Sequence, residues 1–174
     1  AITQNKWTRF SRASSKTSAL LGFTLCLGLS APAGALDTEK VEDSIRLLRI
    51  AALSLKGDPD RGRAFTGLVH MQLMRDKMKG SRIELKNIRD RLWRVRARIL
   101  TADYHLRKGR TKTARRLLAE SIKFVPTKGR QRGADDTYLE IVKRQADMGD
   151  FSAAQATARR MSIPLERLDA FLLI

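Results

Sequence analysis

Residues 138–160 read YLEIVKRQADMGDFSAAQATARR, and their spacing decides how the rest of the chain is read. Tyr138, Leu139, Val142 and Ala146 recur every three or four residues, which lines them along one face of a helix. Met148-Gly149-Asp150 supplies a turn, after which Ala154, Ala158 and Met161 resume the same period. Two amphipathic helices, a glycine turn and small residues at facing positions make a closely packed helical hairpin.

The same layout stands 40 residues earlier: with Gly149 laid on Gly109, Leu139 falls on Ile99, Val142 on Ala102, Ala146 on Leu106 and Ala154 on Ala114. The helix before Gly109 is expected to be the longest, with Ile88, Leu92, Val95, Ile99, Ala102 and Leu106 forming a heptad-like stripe from Leu85 onward over about six turns. After Thr111, an N-cap candidate, Ala114, Leu117, Leu118, Ile122 and Val125 share a face up to Pro126. Nearer the N-terminus, Val41, Ile45, Leu48, Ala52 and Leu55 mark a helix that Gly57 ends, and Asp58-Pro59 opens another with Phe65, Leu68, Val69 and Leu73 inward. A degenerate third copy lies around Gly57, with Leu47 and Ile50 opposite Leu139 and Val142 and Gly62 where an alanine is expected. Met71, Met74 and Met78 read as core filling, the alternative being a soft binding groove.

No run of alternating β-branched residues reads as a strand, so the expected fold is all-α: a short α-solenoid of antiparallel hairpins at about 38–80, 82–125 and 134–162, closed by a capping helix at 164–174. The cap is expected to bury Leu168, Phe171 and Leu172, the alternative being an adhesive edge. Residues 138–160 resemble the tetratricopeptide-type α-hairpin repeat on Ala146, Gly149, Asp150, Ala154 and Ala158, and the preceding hairpin shares Gly109 and Ala114 with that pattern. The resemblance covers about a third of the chain. It implies a right-handed solenoid whose concave face binds peptides or proteins, and it transfers no ligand-contacting residue.

Residues 1–36 contain no acid, carry Lys6, Arg9, Arg12 and Lys16, and lead into the apolar run ALLGFTLCLGLS at 19–30. Ala33 and Ala35 then meet the small-residue requirement of signal peptidase. The expectation is a Sec-type signal peptide at 1–35 that sends the domain 36–174 to the periplasm; the alternative is an uncleaved inner-membrane anchor facing the periplasm. Cleavage after Ala35 leaves 139 residues and removes Cys26, the one cysteine, so neither a disulfide nor a thiolate site is expected.

The 174 residues carry a formal net charge of +17, of which the leader accounts for four, and 43% are apolar, the composition of a folded domain rather than a basic tail. Between Arg61 and Arg130, Lys and Arg outnumber acids 21 to 5. Arg82, Arg89 and Arg96 fall seven residues apart with Lys86 between them, and together with Arg91, Arg94 and Arg98 they are expected to form a ridge for an anionic partner.

Catalysis finds no support in the sequence. Neither His70 nor His105 has a partner at metal-ligand spacing, and His105 reads as a solvated turn residue. The acid groups Glu39, Glu42, Asp43 and Asp135-Asp136 suit helix starts. No nucleophile elbow occurs, and Gly57–Arg63 lacks the Lys-Ser/Thr ending of a phosphate loop. No catalytic, cofactor or metal residue is therefore expected. The partners expected are proteins of the cell envelope, with an anionic membrane surface or polymer as a further candidate. Nucleic acid is disfavoured by the 6% aromatic content and the lack of a recognition motif. The function expected is that of a non-catalytic adaptor or accessory subunit in the envelope; the alternative is an electrostatic binder of membrane or polymer.

Overall fold

The structure is a computed structural model that describes residues 38–126 and 133–174. The leader, Cys26 and the loop cations Lys128 and Arg130 lie outside the described residues. The chain divides into residues 1–42 and 43–174. Of the first unit only residues 38–42, the opening of a helix, are described; the second holds the packed helices.

The fold is all-α. Eight helices are present among the described residues: α1 (Thr38–Ser54), α2 (Asp58–Met74), α3 (Met78–Lys86), α4 (Arg91–Arg107), α5 (Thr111–Ile122), α6 (Ala134–Asp147), α7 (Phe151–Ala158) and α8 (Pro164–Leu172). Three pairs, α2 with α3, α4 with α5 and α6 with α7, pack through short turns. The first helices also pack in series, α2 on α4, α4 on α6 and α6 on α8.

The three turns share one backbone geometry. A left-handed residue sits in each, Asp76 at φ +58°, Gly109 at +70° and Gly149 at +70°. The next N–H then reaches back five residues, Lys77 to the Gln72 carbonyl at 2.8 Å, Arg110 to His105 at 2.8 Å and Asp150 to Gln145 at 2.9 Å. This is the Schellman closure, which satisfies the last carbonyls of a helix and reverses the chain. Five residues past each left-handed residue stands a small buried one, Ser81, Ala114 or Ala154, where the second helix closes on the first. Asp150 also caps α7, accepting from the Ala153 N–H at 3.4 Å. Ala158 is fully buried, and Ala146 is half-buried.

The first pair departs from the expected register. The turn equivalent to Gly109 is Asp76, 33 residues earlier, and it joins α2 to α3, so the first hairpin spans 58–86 rather than 38–80. Gly57 is extended, at φ −86° and ψ 129°, and serves as the N-cap of α2. Gly62 instead marks a close crossing: a Cβ there would stand 2.9 Å from Trp93 Cβ on α4. Asp76 holds its left-handed position with its carboxylate accepting from Lys108 Nζ at 2.8 Å.

The long helix expected from Leu85 is broken. α3 ends at Lys86 and α4 starts at Arg91, with Asp90 as N-cap accepting from the Trp93 N–H at 2.9 Å. Ile88 is completely buried in the connection, so it keeps the apolar stripe while leaving the helix. The core runs from Val95, Ile99 and Ala102 through Leu118 and Val125 to Tyr138, Ile141, Val142 and Met161. Of the methionines, Met71 and Met78 are half-buried and Met74 is exposed.

The closing helix also differs from expectation. Ala170 is the buried residue of α8, whereas Leu168 is 55% and Leu172 77% exposed, and Phe171 is exposed as well. The reason is how α8 is held. Asp135, at the start of α6, accepts from the Ser162 N–H at 3.1 Å, the Ser162 hydroxyl at 2.8 Å and the Ile163 N–H at 2.8 Å. That polar lock sets α8 with its small face on the core.

Gly109→Ala and Gly149→Ala are each expected to cost about 1 kcal/mol in urea unfolding, since added methyls meet open space and the penalty is purely one of backbone conformation. Gly67→Ala, inside α2 and also facing open space, is expected to stabilise by about 0.5–1 kcal/mol. Burial works to raise the Asp135 carboxyl, but the Ser162 and Ile163 donors and nearby Arg167 outweigh it and hold it below the ordinary carboxylate value. The stability this carboxylate contributes is therefore complete above its unfolded value of 3.8 and lost as the pH falls through its lower native value. Acid unfolding curves of Asp135→Asn, compared with the parent, are expected to lack that loss.

Candidate functional site

The cations read as one ridge are distributed by the broken helix to three places. Arg82, on α3, lies close enough to His105 to disfavour its protonation together with Arg110, at the end where α4 turns into α5. Lys86, Arg89 and Arg91 are exposed around the α3–α4 connection. Arg94, Arg96 and Arg98 follow on α4, and all three are half-buried.

These last three use their guanidinium groups inside the fold. Arg94 donates through Nε at 2.9 Å and Nη2 at 2.5 Å to the Ile88 carbonyl, fixing the connection it follows. Arg96 lies 4.8 Å over the Trp93 ring and Arg98 4.5 Å over the Phe124 ring. Planar, weakly hydrated guanidinium groups pack on aromatic faces at modest desolvation cost. The exposed set is therefore Arg82, Lys86, Arg89 and Arg91, and these four do not share one helical face, because a seven-residue period aligns residues only along an unbroken helix.

A different set of side chains converges between α4 and α6. Asp103, Leu106, Arg107, Lys143, Arg144 and Asp147 line an open cleft of about 380 Å³. Its wall is a two-pronged ion pair: Arg144 Nε donates to Asp103 Oδ1 at 3.0 Å and Nη2 to Oδ2 at 3.0 Å, while Nη1 donates to the Glu140 carbonyl at 3.2 Å. The Asp103 hydrogen bonds hold the Arg144 guanidinium above its ordinary value. A fork-to-fork pair fixes the two helices in register as well as in attraction. Arg107 extends the same row toward α2, its Nη1 lying 3.5 Å from Met74 Sδ. The cleft thus offers both charge signs beside the apolar Leu106 and is open to solvent.

None of the cleft residues was among the sequence candidates. The signal was present in the register, since the 40-residue offset places Lys143 on Asp103 and Arg144 one residue beyond, but it concerns a contact between helices 41 residues apart. His105 is not in a solvated turn: it sits in the last turn of α4, half-buried and edge-on to Tyr104 at 5.5 Å, and burial acts first in lowering its pKa. Among the described residues no group of three or more His, Cys, Asp or Glu side chains could hold a metal ion, and no helix is long and apolar enough to cross a membrane.

Asp103→Ala would leave a half-buried guanidinium without its carboxylate, and a double-mutant cycle with Arg144→Ala is expected to return a coupling of about 1 kcal/mol in thermal or urea unfolding. Comparison of the chain with protein-family models, with curated proteins and with solved structures found no match.

Proposed function

We propose that this protein is a non-catalytic interaction module of the cell envelope, built of tandem helical hairpins of tetratricopeptide type, that docks a segment of a partner protein along the row of first helices. The observation that carries the reading is the cleft between α4 and α6: it is open to solvent, mixed in charge and lined in part by the apolar Leu106, which suits a polypeptide segment better than an enclosed small molecule. The shared geometry of the turns at Asp76, Gly109 and Gly149 supports the hairpin reading, because it sets three first helices side by side. The export address rests on the leader sequence alone.

A second reading is favoured by a separate observation. Arg82, Lys86, Arg89 and Arg91 are exposed, and they suit an anionic membrane or polymer met by charge alone.

The two readings separate under salt, which screens exposed charges but leaves buried apolar contact intact. Envelope extract passed over the immobilised protein is expected to leave a stoichiometric protein partner that persists in a high-salt wash. Leu106→Glu with Lys143→Glu is expected to remove that partner and leave binding to anionic vesicles unchanged. Arg89→Gln with Arg91→Gln is expected to do the reverse. Retention of lipid or polymer at low salt, with no protein held at high salt, would replace the adaptor reading by the electrostatic one.

A further inference from the structure

Two helix faces in the folded unit carry exposed leucine and isoleucine stripes. On α8, Leu165, Leu168 and Leu172 form a stripe at i, i+3 and i+7, with Leu165 75% exposed and Phe171 and Leu173 exposed beside it. On α1, Leu47, Ile50 and Leu53 form a second stripe, 67%, 57% and 47% exposed. Soluble proteins leave few such contiguous apolar stripes open, and those that exist mark contact surfaces.

The two faces are complementary in kind. α8 packs on α6 as α6 packs on α4 and α4 on α2, so it occupies the place of a first helix. Each of the other three first helices is followed by its own second helix, α3, α5 or α7, whereas α8, which also touches α7, is the last helix described. At the other end, α1 buries Ile45 and Ala52, and between them Arg49 reaches Glu84 on α3, a second helix. α1 therefore lies against the second helix α3, with its Leu47, Ile50 and Leu53 stripe facing outward. Among the described residues, both stripes are left exposed.

We propose that α1 of one copy packs antiparallel against α8 of another, so that each exposed stripe covers the other. The stripes match in antiparallel register, with Leu53 opposite Leu165, Ile50 opposite Leu168 and Leu47 opposite Leu172. Charge agrees with this pairing. Burial, followed by like charge from Asp135, Asp136 and Asp169, raises the pKa of Glu166 on α8. The facing part of α1 brings Arg46 and, just past its end, Lys56, both exposed and within about one turn of Asp169 and Glu166 in that register. Antiparallel packing also opposes the two helix dipoles favourably. The contact is heterologous, so it propagates head to tail into a ring or a filament rather than closing as a two-fold dimer. Two short helices bury less than a standard interface, and association on the order of micromolar or weaker follows.

Sedimentation velocity of the full chain tests this over a wide concentration range, with Ile50→Glu altering the α1 face, Leu168→Glu/Leu172→Glu altering the α8 face, and a variant carrying all three as baseline. Association through any other segment is common to all four proteins and is read from that baseline. The parent is expected to grow in mass with concentration, each single-face variant to stay at baseline with self-association weakened at least tenfold, and an equimolar mixture of the two to form a one-to-one complex. That rescue by mixing is specific to a head-to-tail contact. A parent that stays at baseline overturns the proposal, as does an α1-face variant that associates as strongly as the parent, which would assign α8 to pairing with itself. A mixture that stays at baseline overturns it too. Gln versions of the same substitutions replace any Glu variant whose circular dichroism shows lost helicity.

Discussion

A single residue in the left-handed conformation, placed once per helix pair, is the constraint on which the arrangement depends. At Asp76, Gly109 and Gly149 it lets the next N–H reach back to a carbonyl five residues earlier, and the chain reverses within three residues. So tight a reversal forces the second helix against the first, and Ser81, Ala114 and Ala154 are small because the helices close at those points. The pairs are then alike enough to pack in series, which brings α4 beside α6 and joins Asp103 to Arg144. Turn, crossing residue and interhelix ion pair are successive consequences of one torsion angle.

The sequence showed this logic where glycine carried it and hid it where another residue did. Gly109 and Gly149 are visible in the pattern, and the later pairs were legible for that reason. At the first turn an aspartate takes the left-handed role, so the register was sought at Gly57 instead, a residue that proves to be extended. Ile88 concealed the break between α3 and α4 by staying buried on the apolar stripe although it belongs to the connection. The arginine ridge rested on that unbroken helix and dissolved with it. Leu168 and Leu172 show the opposite limit: apolar residues at helical spacing indicate which face is adhesive, and the Asp135 lock, formed across 27 residues, decides which face turns inward.

The arginines divide by what lies beneath them. Arg61, Arg96 and Arg98 sit over Phe65, Trp93 and Phe124, and Arg94 closes on the Ile88 carbonyl. In a chain with 6% aromatic residues, these stems and planar heads cover apolar surface that larger hydrophobic side chains would otherwise cover. The formal charge therefore overstates the number of guanidinium groups free for direct contact, since part of it serves the packing of α2, α4 and the end of α5.

The Arg49–Glu84 contact bears on where an autonomous fragment could begin. Glu84 is fully buried, one carboxylate oxygen accepts from Arg49 Nε at 2.9 Å, and the other is enclosed without a hydrogen-bond partner. An ionised carboxylate in that position is tolerable only with its cation in place. A shortened chain beginning at Asp58 would keep every residue of the α2–α3 pair and yet lose the guanidinium that donates to Glu84. The first hairpin is thus complete in sequence before it is complete in its polar contacts, one of which comes from α1.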